Sequence, residues 1–241
     1  MMRNRLYLVR HGENAANLTK EFSYRHVDYS LTPKGVLQAQ QTAAYFTDKH
    51  IHDIYASPLK RAVETAEIIA TAITANVVIL EHFREVNVGA LEGQPVSTEN
   101  WALYHGMFDD WFAGKSDTTF PGGESYGMLW ERMHAGLQRI LAQKEGRNII
   151  IVGHGGIFTA TLKDLCPGID VEKLRCRPNH NGSITEILTR WRDGAVAGEL
   201  ISWASCTHLH GEAAEVVPGV LDVALPLAQQ SMEQTPGSTP K

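Results

Sequence analysis

Short apolar runs alternate along the chain with segments in which apolar residues recur at helical spacing. Residues 6–9 and 149–152 are each four apolar residues in a row, which is typical of a strand buried on both faces of a parallel sheet. Four more segments have strand character: 53–56, 77–80, 183–188 and 199–203. The alternation predicts an α/β fold, a three-layer α/β/α sandwich with a mostly parallel central sheet and helices on both faces.

Helix start signals lie between these strands. Thr32 and Pro33 have the order of an N-cap and a first helical residue, and the helix would extend to about residue 49. Ser57 and Pro58 repeat this signal and predict a helix that follows them directly. Further helical patterns cover about 124–144 and about 157–165.

Residues 94–123 interrupt the alternation. They concentrate large aromatic side chains: Trp101, Tyr104, Phe108, Trp111 and Phe112. We interpret this segment as an inserted cap over one edge of the sheet, either as a substrate wall or as a small satellite core. We expect one domain over residues 1–228 and a disordered tail over 229–241, which is polar and contains Pro and Gly.

Composition and charge exclude several classes of protein. The net charge is −5 and no long Lys/Arg run occurs, so a nucleic-acid partner is not indicated. No apolar run approaches the roughly 20 residues of a membrane span, and the first run is too short for a signal peptide. Cys166, Cys176 and Cys206 lack metal-site or disulfide spacing, so we expect small buried hydrophobic residues and a cytoplasmic location.

Two of the predicted strands end in similar chemistry. Arg-His-Gly follows the first at residues 10–12, and Gly-His-Gly-Gly follows another at 153–156. The carboxyl ends of parallel strands meet at one sheet edge, where α/β folds bind ligands. Arg61 would lie in the first helical turn after a third strand, and Gly12 would let the backbone approach a ligand. Two arginines, two histidines and a helix N-terminus predict a site for a dianionic phosphate.

The chain resembles the histidine phosphatase superfamily, also called the phosphoglycerate mutase-like family, in six ordered blocks. They are Arg-His-Gly-Glu-Asn-Ala-Ala-Asn at 10–17, Asp-Tyr-Ser-Leu-Thr-Pro-Lys-Gly at 28–35, Tyr-Ala-Ser-Pro-Leu-Lys-Arg-Ala at 55–62, Arg-Glu at 84–85 with Gly-Ala-Leu-Glu-Gly at 89–93, Pro-Gly-Gly-Glu-Ser at 121–125, and Val-Gly-His-Gly-Gly at 152–156. The resemblance covers nearly the whole chain.

The resemblance implies roles for particular residues. His11 would be the nucleophile that becomes phosphohistidine, and Glu85 would protonate the leaving oxygen and then activate water. Arg10, Arg61 and His154 would hold the phosphoryl oxygens.

Asn17 would add a neutral phosphate contact by the same resemblance. No metal and no cofactor are implied. The pair His208 and His210 lacks the accompanying ligands of a metal site.

Departures from the family pattern bear on the reaction. Asn14 stands where a small hydroxyl residue is common, which would alter a contact near the phosphate. Val86 and Val88 stand where phosphoglycerate mutases usually have Arg and Tyr, and this favours hydrolysis. Leu91 stands where the family frequently has an aromatic residue, and we interpret this difference as a change in packing.

The sequence therefore predicts a phosphomonoesterase that acts on a small phosphorylated metabolite through phosphohistidine. A phosphoglycerate mutase and a catalytically weak phospholigand-binding module on the same fold are the alternatives. The substrate does not follow from the sequence, but the aromatic content of 94–123 favours an organic leaving group larger than glycerate. The oligomeric state is open, with a homodimer as one alternative.

Overall fold

Six strands form one sheet in the computed structural model, which describes residues 2–192 and 195–217. The strands are β1 (Asn4–Arg10), β2 (Asp53–Ala56), β3 (Val77–Ile79), β4 (Asn148–Gly153), β5 (Ile184–Arg192) and β6 (Ala195–Ser205). Their order is β3-β2-β4-β1-β5-β6, in which the first four strands are parallel, β5 is antiparallel to β1, and β6 is antiparallel to β5. The predicted mostly parallel sheet is confirmed.

Helices cover both faces of this sheet. They are α1 (Ala15–Thr19), α2 (Pro33–Phe46), α3 (Lys60–Ile73), α4 (Thr98–Phe112), α5 (Tyr126–Leu141), α6 (Gly155–Leu165) and α7 (Val171–Arg175). Successive side chains of β1 belong to two cores on opposite faces of the sheet. Leu6 and Leu8 pack with residues of α4, α5 and α6, whereas Tyr7 and Val9 pack with residues of α2 and α3. The α/β/α sandwich is therefore present as expected.

Helix boundaries differ from the predicted ones where side chains have other partners. Thr32 is the N-cap of α2, as predicted, and its hydroxyl accepts the Gly35 N–H at 3.0 Å. The expectation that Ser57 caps α3 is wrong. The N-cap is Leu59, without a side-chain hydrogen bond, because the Ser57 hydroxyl contacts His154 instead. α2 ends at Phe46, earlier than expected, and α6 begins two residues earlier than expected, at Gly155.

The aromatic segment contains a helix that the sequence pattern did not predict. α4 begins after Ser97, whose side chain accepts the Asn100 N–H at 3.1 Å. Because α4 runs from residue 98 to 112, its aromatic residues are distributed around a helix rather than along an irregular loop. The interpretation of this segment as a cap stays a prediction.

The cysteines correct one expectation. Cys166 is buried, but Cys176 is exposed and Cys206 is only partly buried, so the prediction of three buried residues is wrong. All three are free thiols. Within residues 2–192 and 195–217, no helix is long and apolar enough to cross a membrane. The predicted tail at 229–241 lies outside the described residues.

Candidate active site

The pairing of two parallel strands brings two histidines together. Arg10 of β1 pairs with Gly153 of β4, so the residues that follow both strands leave the sheet at the same edge. The His11 N–H donates to the Gly153 carbonyl at 3.0 Å. The rings of His11 and His154 lie 5.1 Å apart, as the strand-end pattern predicts.

His11 is held as a neutral imidazole with a defined tautomer. Its Nδ1 lies 2.7 Å from the Gly12 carbonyl oxygen, which only accepts, so we assign the ring proton to Nδ1. Nε2 then carries the lone pair and accepts from Arg61 Nε at 3.0 Å. Burial, followed by the charges of Arg61 and Arg10, holds the pKa of His11 well below its ordinary value.

Gly12 is required by packing against α2. A Cβ at this position would lie 2.3 Å from the Gly35 carbonyl oxygen of α2. A Cβ at Gly35 would lie 2.0 Å from the Glu13 carbonyl oxygen. The loop after β1 therefore contacts α2 backbone to backbone, and the expected approach of Gly12 to a ligand stays a prediction.

His154 presents a hydrogen-bond donor next to His11. Its Nε2 lies 2.7 Å from Ser57 Oγ, which also accepts the Leu59 N–H at 3.4 Å. A serine hydroxyl can accept the Leu59 N–H and still donate its own proton, so we take the Ser57 proton to lie in the bond with Nε2, and this tautomer has the His154 ring proton on Nδ1. Burial first, and then the Arg61 charge, holds the pKa of His154 well below its ordinary value. Nδ1 is buried and has no partner among the described residues.

Two more buried donors lie near the histidines. Arg10 Nη1 donates to the Asn179 carbonyl oxygen, while Arg10 Nε has no partner in the part of the chain that the structure describes. Asn179 Nδ2 is likewise buried and unpartnered there. A buried polar group without a partner costs free energy, and an anion between these donors would remove that cost.

Arg61 lies in the first turn of α3, as predicted, and is 3% exposed. Its guanidinium also donates to Ser23, from Nη1 to Oγ at 2.7 Å and from Nη2 to the carbonyl at 3.0 Å. Asp28 lies 3.8 Å from Nη1. Burial lowers the pKa of Arg61 to about 10, so it remains a cation at neutral pH.

Glu85 lies against the N-terminus of α6. Its Oε2 accepts the Gly156 N–H at 3.0 Å, and Oε1 accepts those of Ile157 at 2.8 Å and Val86 at 2.9 Å. A Cβ at Gly156 would lie 2.7 Å from Glu85 Oε1 and 3.1 Å from the Tyr104 hydroxyl. Burial and the Glu85 charge raise the pKa of Tyr104, so this hydroxyl keeps its proton beside the carboxylate.

Arg132 of α5 holds the loop that carries Glu85. Its guanidinium donates to the carbonyl oxygens of His82 at 3.0 Å, Arg84 at 2.7 Å and Glu85 at 2.8 Å. It also forms two bonds with the Glu124 carboxylate, at 2.9 and 2.8 Å. The backbone beside Glu85 is therefore tied to α5 by charge-assisted hydrogen bonds.

A cavity of about 690 Å³ continues from this edge of the sheet. Arg10, His11, Arg61 and Glu85 line its inner end. Its outer part is lined by aromatic side chains: Phe22, Trp101, Tyr104, Phe108 and Phe112. The cavity thus has a charged inner end and a largely aromatic outer wall.

Asn17 lines the cavity next to Arg10 and His11. Its Oδ1 accepts from Asn14 N–H at 3.1 Å and from Asn181 Nδ2 at 3.0 Å. Asn14 is fully buried and caps α1 by accepting the Asn17 N–H. Asn14 therefore acts as the cap of α1 at a position where the resembled family commonly has a hydroxyl residue.

The structure brings all six predicted site residues to this region: Arg10, His11, Asn17, Arg61, Glu85 and His154. Residues that contact them were not predicted as site residues from the sequence, although Ser57 and Tyr104 were noted for other reasons: Ser23, Ser57, Tyr104, Arg132 and Asn179. A signal existed for Ser57, which stands in the third family block but was interpreted as a cap. Among the described residues, no group of three or more His, Cys, Asp or Glu could hold a metal ion.

The fold and the site define an α/β protein with a histidine-centred anion site at the carboxyl edge of its sheet. The family model of the histidine phosphatase superfamily (branch 1) matches residues 6–200. The chain belongs to this superfamily.

The chain is similar to relatives that carry a phosphatase name and to relatives that carry a mutase name. "Putative phosphoserine phosphatase 2" of Hydrogenobacter thermophilus is 33% identical over 186 residues, which cover 76% of this chain and 88% of the relative. "Probable phosphoglycerate mutase GpmB" of Proteus mirabilis is 36% identical over 188 residues, covering 76% and 83%. The structure of a phosphoserine phosphatase from Entamoeba histolytica in complex with 3-phosphoglyceric acid has a TM-score of 0.69 and 26% identity, covering 86% of this chain and 100% of that one.

Proposed function

We propose that this protein is a phosphomonoesterase that transfers the phosphoryl group of a small metabolite to His11 and then to water. One observation carries the proposal: the Nε2 lone pair of a neutral histidine lies among buried cationic and neutral donors. A neutral imidazole can attack phosphorus, and the donors can hold the charge on the phosphoryl oxygens.

In the first step, His11 Nε2 attacks phosphorus and the bond to the ester oxygen breaks. Arg61 must exchange its bond with Nε2 for a phosphoryl oxygen, while Arg10 Nε and His154 Nδ1 each gain a partner. The Glu85 carboxylate binds a proton from solvent before this step, and the resulting carboxylic acid donates that proton to the leaving alkoxide. The products are the free alcohol and phosphohistidine, and the Nδ1 bond to the Gly12 carbonyl stabilises the ring.

In the second step, the Glu85 carboxylate takes a proton from water as the water oxygen attacks phosphorus. The phosphorus–nitrogen bond breaks, and its electron pair returns to Nε2 of His11. Inorganic phosphate leaves, and Glu85 is again a carboxylic acid for the next cycle. Asn17 and Asn179 are proposed as neutral donors to the phosphoryl oxygens at the cavity surface.

Hydrolysis is favoured over the mutase reaction by the residues beside Glu85. Val86 and Val88 line the cavity and are 1% and 3% exposed, and neither can hold a second phosphate or a carboxylate. The relatives carry both phosphatase and mutase names, so the local residues decide between them.

Separate product measurements test this proposal. We expect the protein to release inorganic phosphate from phosphomonoesters and to isomerise 3-phosphoglycerate far more slowly. Mass spectrometry of acid-sensitive phosphoprotein should place the phosphoryl group on His11. His11→Ala should abolish both signals, whereas His50→Ala, at an exposed position, should keep them. Efficient isomerisation without phosphate release, or full activity of His11→Ala, would contradict the proposal.

The alternative of a catalytically weak phospholigand-binding module predicts a different result. Such a module would bind phosphate esters without turnover, and neither phosphohistidine nor inorganic phosphate would appear. We also propose a cytoplasmic location, which free thiols favour, and localisation of a fluorescent fusion tests it. A homodimer stays a prediction that sedimentation velocity can test.

A further inference from the structure

We propose that the outer part of the cavity selects an uncharged leaving group with an aromatic or aliphatic body. The substrate class would be phosphate monoesters of apolar alcohols, not phosphorylated carboxylic acids. This inference rests on the proposed phosphatase function, because the selected group is the alcohol that leaves when His11 attacks.

The aromatic wall is a continuous surface. The ring of Phe22 lies 4.7 Å from that of Trp101 and 5.3 Å from that of Tyr104, and Phe108 continues the series at 4.8 Å from Tyr104. All four rings line the same cavity as His11. Such ring surfaces bind apolar groups by removing them from water and by stacking.

The floor of the cavity is also apolar beside the reacting atoms. Val86 and Val88, which follow Glu85 in the chain, line this part of the cavity. An alcohol whose oxygen receives a proton from Glu85 therefore has its body next to valine methyl groups and the aromatic wall. The cavity of about 690 Å³ has the size of ordinary small-molecule sites, so it can enclose a body of several carbon atoms or a ring.

The charges around the outer cavity disfavour a second anion. Arg175 lines this part but is paired with Asp109 and lies 3.6 Å from Glu172. Asp109, Glu172 and Glu21 supply three carboxylates to the lining, against the two cations Arg175 and Lys20. A carboxylate on the leaving group would approach a net negative rim and would have to leave water.

A series of n-alkyl phosphates from ethyl to hexyl tests the inference on the native protein. The leaving alcohols have nearly the same acidity, so their chemical reactivity stays constant while apolar surface grows. We expect kcat/KM to rise about two- to fourfold per methylene group. Replacing the terminal methyl of hexyl phosphate with a carboxylate, as in 6-phosphooxyhexanoate, should lower kcat/KM at least about tenfold.

A pair of variants on α4 locates the effect. Trp101→Ala removes wall surface and should flatten the rise along the alkyl series, mainly through KM. Leu103→Ala is the matched control, because Leu103 lies on the same helix, is 41% exposed and does not line the cavity. It should keep the full rise, and circular dichroism should show that both variants are folded.

The outcomes separate this inference from the proposed function. Phosphate release with a flat alkyl series, or faster release from 6-phosphooxyhexanoate than from hexyl phosphate, overturns the inference and leaves the phosphatase proposal intact. An equal loss of the rise in Leu103→Ala also overturns it. Failure to hydrolyse any ester, with no phosphohistidine formed, overturns both. If Trp101→Ala does not fold, the native series alone decides.

Discussion

The two ends of the cavity are built in different ways. At the inner end, β1, β4 and the first turn of α3 place His11, His154 and Arg61 within two residues of a strand or helix terminus, while Glu85 contacts the N-terminus of α6 from a loop held by Arg132. At the outer end, α4 and the segment around Phe22 supply rings that hold one another by contact. Strand and helix termini and charge-assisted hydrogen bonds therefore place the reacting groups, whereas packing between aromatic rings forms the leaving-group surface. The outer end can change without displacing the inner end.

Among variants that keep His11, the largest expected loss follows from removing an inner cation. Arg61→Met deletes the partner of His11 Nε2 and a donor to the phosphoryl oxygens, so we expect kcat/KM to fall by roughly 10²–10³-fold. Stopped assays of phosphate release from hexyl phosphate measure it. Lys60→Met is the matched control, since Lys60 is the exposed neighbour in the same helical turn. A loss below about tenfold would show that the inner end does not depend on this guanidinium.

The same contrast explains how much the sequence predicted. His11 and His154 were found because each directly follows a recognisable buried strand, and adjacent parallel strands bring such residues together. Ser57 and Arg132 were missed because their partners are 97 and 47 residues away in the chain, at distances that no local pattern encodes. Ser57 also carried a strong but misleading cap signal.

The outer end was only partly predictable. Composition showed that the inserted segment is aromatic, but it did not show that α4 is a helix or which rings face the cavity. Trp101, Tyr104 and Phe108 follow helical spacing and line the cavity, whereas Trp111 is 1% exposed and packs in the core. Trp101 and Tyr104 contact Phe22, whereas Trp111 packs against Phe120 and Tyr126, and these tertiary contacts join separate parts of the chain.

The next largest effect concerns a residue that acts through Glu85. Arg132→Met removes three bonds to the carbonyl oxygens of its loop, so we expect the general acid to lose its position and kcat to fall about 10²-fold on alkyl phosphates. Arg139→Met, at an exposed position of the same helix, should be near native.

The leaving group distinguishes positioning from general damage. 4-Nitrophenolate leaves without a proton, so single-turnover formation of phosphohistidine from 4-nitrophenyl phosphate should be far less affected in Arg132→Met than formation from hexyl phosphate. Equal losses on both esters would show that Arg132 supports the fold as a whole and not the acid in particular.

A pH titration is expected to distinguish the two histidines of the inner end from an ordinary histidine. An imidazole with a pKa of about 6.5 is roughly 90% protonated at pH 5.5, whereas the pKa values of His11 and His154 lie well below the ordinary value because both rings are buried beside Arg61, which favours the neutral rings. Their NMR ring resonances should not titrate between pH 7 and 5.5, whereas those of the urea-unfolded chain should.

The same shift has a consequence for stability. Below about pH 6.5 the unfolded chain binds protons at these positions and the folded chain does not, so the free energy of unfolding should fall as the pH drops through this value. Urea titrations at pH 7.0 and 5.5 measure the change, and His11→Asn should reduce it. Two results together would contradict a neutral buried pair. The free energy of unfolding of the native protein would rise towards pH 5.5, and His11→Asn would show the same change with pH as the native protein.

The smallest effect is expected at the rim of the outer end. Arg175 lies over Phe112 at 5.5 Å and pairs with the exposed Asp109, and such surface pairs contribute only about 0–1 kcal/mol. Arg175→Met keeps the apolar stem and removes the charge, so kcat/KM for hexyl phosphate should change by no more than about twofold. The informative comparison is with 6-phosphooxyhexanoate. If the rim selects against anions, Arg175→Met should change kcat/KM for this substrate about as much as it does for hexyl phosphate. A small further loss is expected because the rim becomes more negative. A loss above tenfold confined to the carboxylated substrate would mean that Arg175 binds an anionic leaving group, and the outer end would then be a charged site like the inner one.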